Sequence, residues 1–433
     1  HCSDQHPWFV EALGAGPGAE ARELFWFRDG RGPDGAEPPN NWPSIFGGPA
    51  WTRVPDGQWY LHLFAPEQPD FNWNNPKVRE EFADILRFWF DLGVDGVRID
   101  SAALIVKDPE LADFDPAAPP VPHPYTDRDG IHEIYRGWRV VADSYPDRRA
   151  LIGEIWLADS ARFARYLRAD EMHTAFNFDF LACPWEAAAL RANIDTTLAD
   201  HAPVGAPATW VLSNHDVTRH VTRYGRADTT FDHDPAHRRR LHGSPADPVL
   251  GSNRARAAAL LTMALPGSVY LYQGEELGLA EVEDLPDQAR QDPMFARSGG
   301  DNPGRDGCRV PLPWSGTAAP FGFSPAGAAA PPWLPQPADW ATSTVAAQSG
   351  DPRSMLTLYR NALALRAAAG WLDQPMRWLP APERVLAFAR GDGLRCLVNL
   401  STGPVAVPAG TVLLASAALV DGALPVDVAV WLA

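Results

Sequence analysis

The chain has few cysteines. Only four occur in 433 residues, and they show neither the paired spacing of a metal site nor the density of a disulfide scaffold. Scattered thiols are typical of a reducing compartment, so the sequence predicts a cytoplasmic protein. The histidines also lack a metal-type spacing, and we expect neither a metal nor another cofactor. The four cysteines are Cys2, Cys183, Cys308 and Cys396.

Long hydrophobic runs are also missing. The longest apolar stretch, residues 257–272, is interrupted by Pro266, Gly267 and Ser268 and is too short to span a bilayer. It instead predicts a helix followed by a strand. No membrane partner is expected. The chain begins at His1, without a methionine or the basic and apolar regions of a secretory signal, which predicts a processed start or missing upstream sequence.

Basic residues are the minority among the charged ones. The chain has 37 Lys and Arg against 54 Asp and Glu, a formal net charge of -17. A nucleic acid or an anionic membrane would require clustered basic residues, so neither is expected as a partner. The short run Arg238-Arg239-Arg240 predicts a solvated loop. This composition favours a neutral, hydroxyl-rich ligand.

What the sequence does contain is an alternation of helices and short apolar strands. A helix begins at Pro76, with Asn75 as its cap, and further helical segments separate the apolar runs that follow. Such alternation is typical of a parallel sheet in an α/β fold. Besides the strand that starts after Gly93, the predicted strands cover residues 150–154, 173–178, 208–212 and 268–272.

The sequence before and after this part of the chain does not show the same alternation of helices and strands. Residues 1–75 are rich in Trp, Pro, Gly and Asn and predict an irregular, loop-dominated segment. A loop over residues 277–351 and a helix over Pro352 to Ala369 follow the last predicted strand. From Leu372 onward, short β-type runs with Gly and Pro turns predict a small C-terminal β domain.

Three acidic residues each follow an apolar strand. They are Asp100 in Gly-Val-Arg-Ile-Asp, Glu154 in Gly-Glu-Ile-Trp and Asp216 in Ser-Asn-His-Asp. Each acid alone is better explained as a cap or an ion-pair partner. Their order on successive strand ends favours function, because catalytic residues of parallel α/β folds lie at that rim. Three carboxylates there indicate glycosidic bond chemistry.

Arg98 lies two residues before Asp100. In a strand, this spacing places the two side chains on the same face. A guanidinium beside a carboxylate favours its ionised form, which a nucleophilic aspartate needs. A structural Arg-Asp pair is the alternative explanation for this segment alone.

These segments resemble the second, third and fourth signature regions of the α-amylase family, glycoside hydrolase family 13. Three further motifs are similar to the oligo-1,6-glucosidase and α-glucosidase branch, and the resemblance extends from residues 3–9 to the C-terminal β domain. The motifs are Gln-Pro-Asp-Phe-Asn-Trp at 68–73, Val-Leu-Ser-Asn-His-Asp at 211–216 and Gly-Arg-Asp-Gly-Cys-Arg-Val-Pro at 304–311.

The resemblance implies a retaining mechanism. Asp100 would be the nucleophile that forms a covalent glucosyl-enzyme, and Glu154 would be the acid and base. Asp216 would bind sugar hydroxyls and stabilise the transition state. Substrate-binding roles are implied for Arg98 and for three further residues, His1, His215 and Arg309.

The resemblance also implies a (β/α)8 TIM barrel. His1 matches the last residue of the first signature region, so the first two β/α units and the third strand would be absent from this chain. Residues 1–75 would be the end of the third strand and an inserted loop-rich domain. Residues 76–371 would be the catalytic barrel, and residues 372–433 an antiparallel β domain. A barrel without these strands would expose two sheet edges and its lumen, at a cost in stability.

The substrate would be a short oligosaccharide. Ser101, directly after the nucleophile, departs from the Val of 1,6-specific members, which predicts a preference for maltose-like α-1,4 bonds. A glucosyl-transferring or isomerising enzyme, such as a trehalose synthase or sucrose isomerase, would use the same three acids. A non-catalytic interaction protein would be expected to have lost them. The sequence does not determine the exact glycosidic linkage or the chain length of the substrate. It also does not distinguish hydrolysis from glucosyl transfer or predict the oligomeric state.

For several other features of the sequence, a structural role is favoured over a functional one. The Gly-rich run at 14–19 lacks the preceding strand of a dinucleotide site. Asp70 is near a position that binds calcium in some relatives, but a structural turn is favoured. Trp42, Trp51 and Trp73 are the tryptophans whose loop positions are compatible with stacking on sugars.

Overall fold

The computed structural model describes residues 1–232, 234–325, 327–368, 370–371 and 374–433. Within these ranges, every helix is too short or too polar to cross a membrane. The predicted end of the last helix, Ala369, and the predicted start of the C-terminal domain, Leu372, lie outside the described residues.

The helices and strands are numbered in chain order. The helices are α1 (Pro7–Ala15), α2 (Glu20–Glu23), α3 (Pro76–Asp91), α4 (Ile131–Asp143), α5 (Ser160–Arg165), α6 (Phe178–Ala182), α7 (Ala187–His201), α8 (His220–Tyr224), α9 (Pro235–Leu241), α10 (Pro248–Ala264), α11 (Pro293–Arg297), α12 (Val345–Gln348) and α13 (Met355–Ala368). The strands are β1 (Phe27–Asp29), β2 (Trp51–Arg53), β3 (Gln58–Leu61), β4 (Gly96–Ile99), β5 (Ala150–Gly153), β6 (Thr174–Ala175), β7 (Thr209–Val211), β8 (Ser268–Tyr270), β9 (Met376–Trp378), β10 (Val385–Arg390), β11 (Leu394–Asn399), β12 (Val405–Ala406), β13 (Val412–Ala415), β14 (Ala423–Leu424) and β15 (Val428–Leu432).

The first of two compact units contains a parallel sheet and an antiparallel sheet. It comprises His1–Phe176, Asp200–Ala206 and Ala296–Ser298. Strands β4, β5 and β6 are parallel neighbours, and β3 pairs antiparallel with both β1 and β2. The parallel arrangement agrees with the predicted α/β fold.

The second unit comprises Asn177–Ala199, Pro207–Phe295 and Gly299–Ala433. Strands β7 and β8 are parallel. The C-terminal part forms an antiparallel sheet of five strands in the order β13-β15-β11-β10-β9, with β12 and β14 paired separately. The predicted C-terminal β structure is therefore confirmed, while the domain boundaries and the missing barrel units stay predictions.

Helix α3 begins where its sequence predicts. The Asn75 side chain accepts a hydrogen bond from the Lys77 backbone N–H, and Pro76 occupies the first turn. Gly93 follows the helix with a φ of 93°, a conformation that glycine adopts without a Cβ penalty. The chain then turns directly into β4.

The structure adds detail to three predictions about local structure. Residues 1–75 are mostly loop, as predicted, but they also contain α1, α2 and the three-stranded sheet, because strands of three or four residues are too short to show a periodic pattern. The strand predicted at 173–178 is only Thr174–Ala175, since Asn177 accepts a hydrogen bond from the Phe180 N–H and starts α6. The loop over residues 277–351 likewise contains α11 and α12.

Two glutamates after β8 are held in surroundings that disfavour their charge. Glu275 is 2 % exposed, and burial raises its pKa to about 8. Its carboxylate accepts hydrogen bonds from the Tyr272 N–H and the Tyr359 hydroxyl, both at 3.2 Å. Burial also raises the pKa of Glu281 to about 7. Both side chains therefore bind a proton more tightly in the folded state than in the unfolded one.

We expect the contribution of Glu275 to the free energy of unfolding to fall as the pH rises from about 5 to about 8. In this interval the unfolded chain has released the Glu275 proton while the folded protein still holds it, so higher pH favours unfolding. Glu275→Gln, which cannot ionise, should remove about 2–4 kcal/mol of this dependence in denaturant titrations. The exposed Glu383→Gln is the control and should leave it unchanged. An equal pH dependence in wild type and Glu275→Gln would contradict this expectation.

Candidate active site

The register of β4 and β5 brings two of the predicted acids to the same end of the first unit's parallel sheet. Ile99 lies opposite Gly153, so Asp100 and Glu154 are the next residues on adjacent strands. Backbone hydrogen bonds continue past the strand ends, from Glu154 N–H to the Ile99 carbonyl and from Ala102 N–H to the Glu154 carbonyl, both at 2.9 Å. Both carboxylates are therefore placed by strand pairing.

Two glycines permit this close pairing. A Cβ on Gly96 would lie 2.8 Å from the Ala150 Cβ and carbonyl oxygen of the neighbouring strand. A Cβ on Gly153, directly before Glu154, would lie 2.5 Å from the Met172 sulfur. Larger residues at these positions would displace the strands that carry the acids.

A single guanidinium bridges the two acids. Arg98 donates from Nη1 to Asp100 Oδ1 at 2.9 Å and from Nη2 to Glu154 Oε2 at 2.5 Å. The side chain of Asp100 is 54 % exposed, whereas that of Glu154 is 9 % exposed. The predicted placement of Arg98 and Asp100 on one strand face is thus confirmed. An accessible acid lies beside a buried one.

Ser101 contacts both acids. Its backbone N–H donates to Glu154 Oε2 at 3.1 Å, and its hydroxyl donates to Asp100 Oδ2 at 3.2 Å. Its φ is 47°, in the left-handed region that residues with a Cβ seldom adopt. The indole N–H of Trp156 lies 3.4 Å from Glu154 Oε1. The sequence indicates a role for Ser101 only in bond preference, because a residue pattern does not reveal a positive φ.

A cavity of about 310 Å³ opens beside Asp100. Arg98 and His1 also line it, together with an apolar wall. The His1 ring lies 5.2 Å from that of Phe64. A volume in this range suits a small ligand, and apolar walls with a few polar groups are typical of such sites. The apolar wall includes Trp73, Phe82, Trp89 and Trp138.

The third predicted acid, Asp216, belongs to the second unit. Arg305 Nη1 and Arg309 Nη2 each donate to its Oδ1 at 2.9 Å. Its Oδ2 lies 3.4 Å from His215 Nε2, and Arg309 Nε donates to the His215 carbonyl at 2.7 Å. The structure thus brings together His215, Asp216 and Arg309, as the resemblance implied. The two guanidinium groups compensate the carboxylate charge.

Arg305 is a further site residue that was not predicted from the sequence. Its Nε and backbone N–H donate to Asp292 Oδ2 at 2.6 and 2.8 Å, while Nη1 contacts Asp216. The Asp292 side chain is 0 % exposed. Burial alone would raise the pKa of Asp292. The hydrogen bond and the positive charge of Arg305 outweigh this effect and lower the pKa. The available signal was the position of Arg305, four residues before Arg309 in the same motif.

The structure corrects two predictions about possible ligand contacts. Trp42 and Trp51 are each 1 % exposed, and their indole N–H groups donate to the Ala112 carbonyl and to Asn40 Oδ1. They are core residues and cannot stack on a sugar. Trp73 is 3 % exposed and contributes to the cavity wall described above.

The prediction for the arginine run is wrong in part. Arg238, Arg239 and Arg240 lie in helix α9 rather than in a loop; Arg239 and Arg240 are exposed, whereas Arg238 Nη2 donates to the Asp216 carbonyl at 2.5 Å. At Asp70, the structure shows an ion pair with Lys107 at 2.8 Å, each side chain 4 % exposed. Among the described residues, His, Cys, Asp and Glu form no group of three or more that could hold a metal ion.

Comparisons with known proteins identify the family of this chain. Residues 1–374 match the alpha-amylase catalytic domain. A probable alpha-glucosidase of Rhizobium meliloti (strain 1021) is 38% identical over 427 residues, covering 93% of this chain and 72% of the relative. An oligo-1,6-glucosidase of Parageobacillus thermoglucosidasius is 29% identical over 411 residues, covering 84% of this chain and 66% of the relative.

Solved structures match over nearly the whole chain. The alpha-glucosyl transfer enzyme XgtA superposes with a TM-score of 0.81 at 32% identity, covering 100% of this chain and 81% of the other. The trehalulose synthase of Pseudomonas mesoacidophila MX-45 gives a TM-score of 0.81 at 27% identity, covering 99% and 81%. The chain therefore belongs to the α-amylase family, glycoside hydrolase family 13, and is a glycosidase.

Proposed function

We propose that this chain is a retaining α-glucosidase that releases glucose from the non-reducing end of short α-glucosides, with a preference for α-1,4 bonds. The observation that carries the proposal is the Arg98 bridge between Asp100 and Glu154. The bridge brings both carboxylates within hydrogen-bond distance of one side chain. This supports the short carboxylate separation of retaining glycosidases, since inverting glycosidases need room for a water molecule between the two acids.

In the first step, Asp100 attacks the anomeric carbon. The bond from that carbon to the glycosidic oxygen breaks, and Glu154 transfers its proton to the departing oxygen. This forms a β-glucosyl ester on Asp100. In the second step, Glu154 removes a proton from water, whose oxygen attacks the anomeric carbon and releases Asp100. Two inversions return α-glucose and the starting protonation states.

Asp216 is proposed to bind sugar hydroxyls and to stabilise the positive charge of the oxocarbenium-like transition state. Its contacts with Arg305 and Arg309 support a fixed, ionised carboxylate. His215 and Arg309 are proposed to contact the substrate from the same segment. His1 and Arg98 are proposed to do so from the cavity beside Asp100.

Maltose should be hydrolysed faster than isomaltose. The small, hydroxyl-bearing Ser101 beside the nucleophile is the basis of this expectation, and the proposal as a whole is supported by the probable alpha-glucosidase relative. The test is the ratio of kcat/KM for the two disaccharides, measured on the full chain. Asp100→Asn is the control for contaminating activity. Faster hydrolysis of isomaltose would refute the linkage preference, and inactivity on both sugars would refute the proposed function.

A glucosyl-transferring or isomerising activity is the second candidate. It is favoured by the structural similarity to the alpha-glucosyl transfer enzyme and the trehalulose synthase. Both reactions start from the same glucosyl-Asp100 ester and differ in whether water or a sugar hydroxyl attacks it. Chromatographic analysis of the products from sucrose and maltose distinguishes them. Equal amounts of glucose and fructose from sucrose indicate hydrolysis, whereas a new disaccharide indicates isomerisation and a longer oligosaccharide indicates transfer.

A further inference from the structure

A small cavity of about 30 Å³ lies within the second unit. This volume accommodates one particle about the size of a water molecule. Residues of α8, of α9 and of the segment 281–307 line it. We call it the basic cavity, after its ionisable lining side chains Arg223, Arg226, His237, Arg238, His242, Glu281 and Arg290.

Two of these arginines have no ion pair within the described part of the chain. Arg223 is 1 % exposed, and its three hydrogen bonds go to backbone carbonyl oxygens of residues 212, 218 and 229. Arg238 donates to the Met294 sulfur and to the Asp216 carbonyl. Burial lowers the pKa of both, and nearby Arg305 adds to this effect for Arg238. Buried charges are normally closely paired, whereas Arg238 is influenced by Asp292 and Asp216 only from beyond ion-pair distance and Arg223 contacts carbonyl oxygens instead.

Two further arginines line the cavity with an unused donor. The Arg290 side chain is 7 % exposed and donates to the carbonyl oxygens of Pro303 and Glu283, with the exposed Asp287 3.9 Å away. Arg226 pairs with the Glu283 carboxylate at 2.6 Å. Within the described ranges, the buried Nε atoms of both Arg226 and Arg290 have no hydrogen-bond acceptor.

His237 adds another donor. Arg240 lies 3.1 Å from its Nδ1, and since a guanidinium can only donate, that nitrogen is the acceptor. The ring proton is therefore on Nε2, which is buried and has no partner among the residues described. Three side chains that line one small cavity thus each carry an N–H without an acceptor.

The acidic groups here are too few to balance the arginines. The Glu283 carboxylate is shared by Arg226, by the Gly243 N–H and by His242 at 3.3 Å. Glu281 accepts a hydrogen bond from the Arg219 N–H, and burial disfavours its ionised form. Among the described residues, the four guanidinium groups therefore have one carboxylate at close ion-pair distance, Glu283 on Arg226, while Asp287 lies 3.9 Å from Arg290 and Asp216 and Asp292 act on Arg238 from further away.

We propose that the basic cavity binds one small monovalent inorganic anion, with chloride as the representative. The anion supplies both the missing negative charge and an acceptor for the unused N–H groups, and its size fits the space. Because Arg238 also donates to the Asp216 carbonyl, the occupied cavity stabilises the segment that carries Asp216.

The test compares thermal unfolding of the full chain in sodium chloride and in sodium gluconate, a larger organic anion, at constant ionic strength. Chloride should raise Tm by about 2 °C or more over gluconate, with a saturable dependence on concentration. Arg290→Gln should abolish the difference. Arg239→Gln, which removes an exposed arginine of α9 paired with Asp301, is the matched control and should retain it.

A second measurement does not depend on the folding of a variant. Wild-type crystals soaked in bromide should show an anomalous peak in the basic cavity. Equal Tm values in chloride and gluconate, or a chloride effect of the same size in Arg290→Gln, would overturn the proposal. Bromide crystals that show only a water molecule in the cavity would overturn it as well.

Discussion

Asp100→Asn is expected to lower kcat for maltose hydrolysis by about 1,000-fold or more, with little change in stability. The amide is close in size to the carboxylate but is a poor nucleophile, so the glucosyl ester cannot form. Asp100 is exposed and at a strand end, so the fold should tolerate the change. Glu154→Gln should give a loss of similar size because the departing oxygen would leave without a proton. Steady-state kinetics and thermal unfolding measure the two quantities.

The roles of the two acids can be separated by azide. With Glu154→Ala and a nitrophenyl α-glucoside, whose leaving group departs without a proton, azide attacks the β-glucosyl ester and should yield α-glucosyl azide. With Asp100→Gly, azide takes the place of the nucleophile and should yield β-glucosyl azide. Asp84→Asn, which alters an exposed aspartate paired with Arg87, controls for the loss of a surface charge. Full activity in Asp100→Asn, or the opposite azide products, would refute the assignments.

Arg305→Gln is expected to reduce both stability and activity. The Asp292 carboxylate, 0 % exposed, would lose its cation, and such a loss typically costs about 3–5 kcal/mol. Asp216 would lose one of its two guanidinium partners and with it part of its fixed orientation. Urea denaturation should show the lower free energy of unfolding, and maltose kinetics should show a lower kcat.

Arg309→Gln is the matched comparison for Arg305→Gln. Arg309 also donates to Asp216 Oδ1, but its other hydrogen bond goes to the His215 carbonyl rather than to a buried carboxylate. The Arg309→Gln variant should therefore reduce activity with a much smaller decrease in the free energy of unfolding. The exposed Arg239→Gln should change neither. If Arg305→Gln and Arg309→Gln destabilise the protein equally, the proposed importance of the buried Asp292 pair is wrong.

The parts of the site that were predictable are those that depend on local geometry. The alternation of side chains in a strand is enough to place Arg98 and Asp100 on one face, and the hydrogen bond between them confirms it. The ends of two apolar runs likewise located Asp100 and Glu154 next to each other. The ordered motifs then indicated the family, which the match over residues 1–374 confirms.

The parts that were not predictable depend on contacts between distant residues or on single backbone angles. Asp292 and Arg305 are 13 positions apart, and nothing in their spacing marks them as partners. The left-handed conformation of Ser101 results from the turn that follows β4, and a serine gives no sign of it. The polar appearance of Arg238 suggested solvent exposure, whereas α9 directs it to a backbone carbonyl.

The Arg98 bridge has a consequence for the whole proposed cycle. Before attack, Asp100 is anionic and Glu154 carries a proton; in the ester intermediate, Asp100 is neutral and Glu154 is anionic. The pair thus carries one negative charge at both stages, although the charge moves between strands. Arg98 contacts both carboxylates and so neutralises that charge wherever it resides. The guanidinium can remain stationary while the electrons and the proton relocate around it.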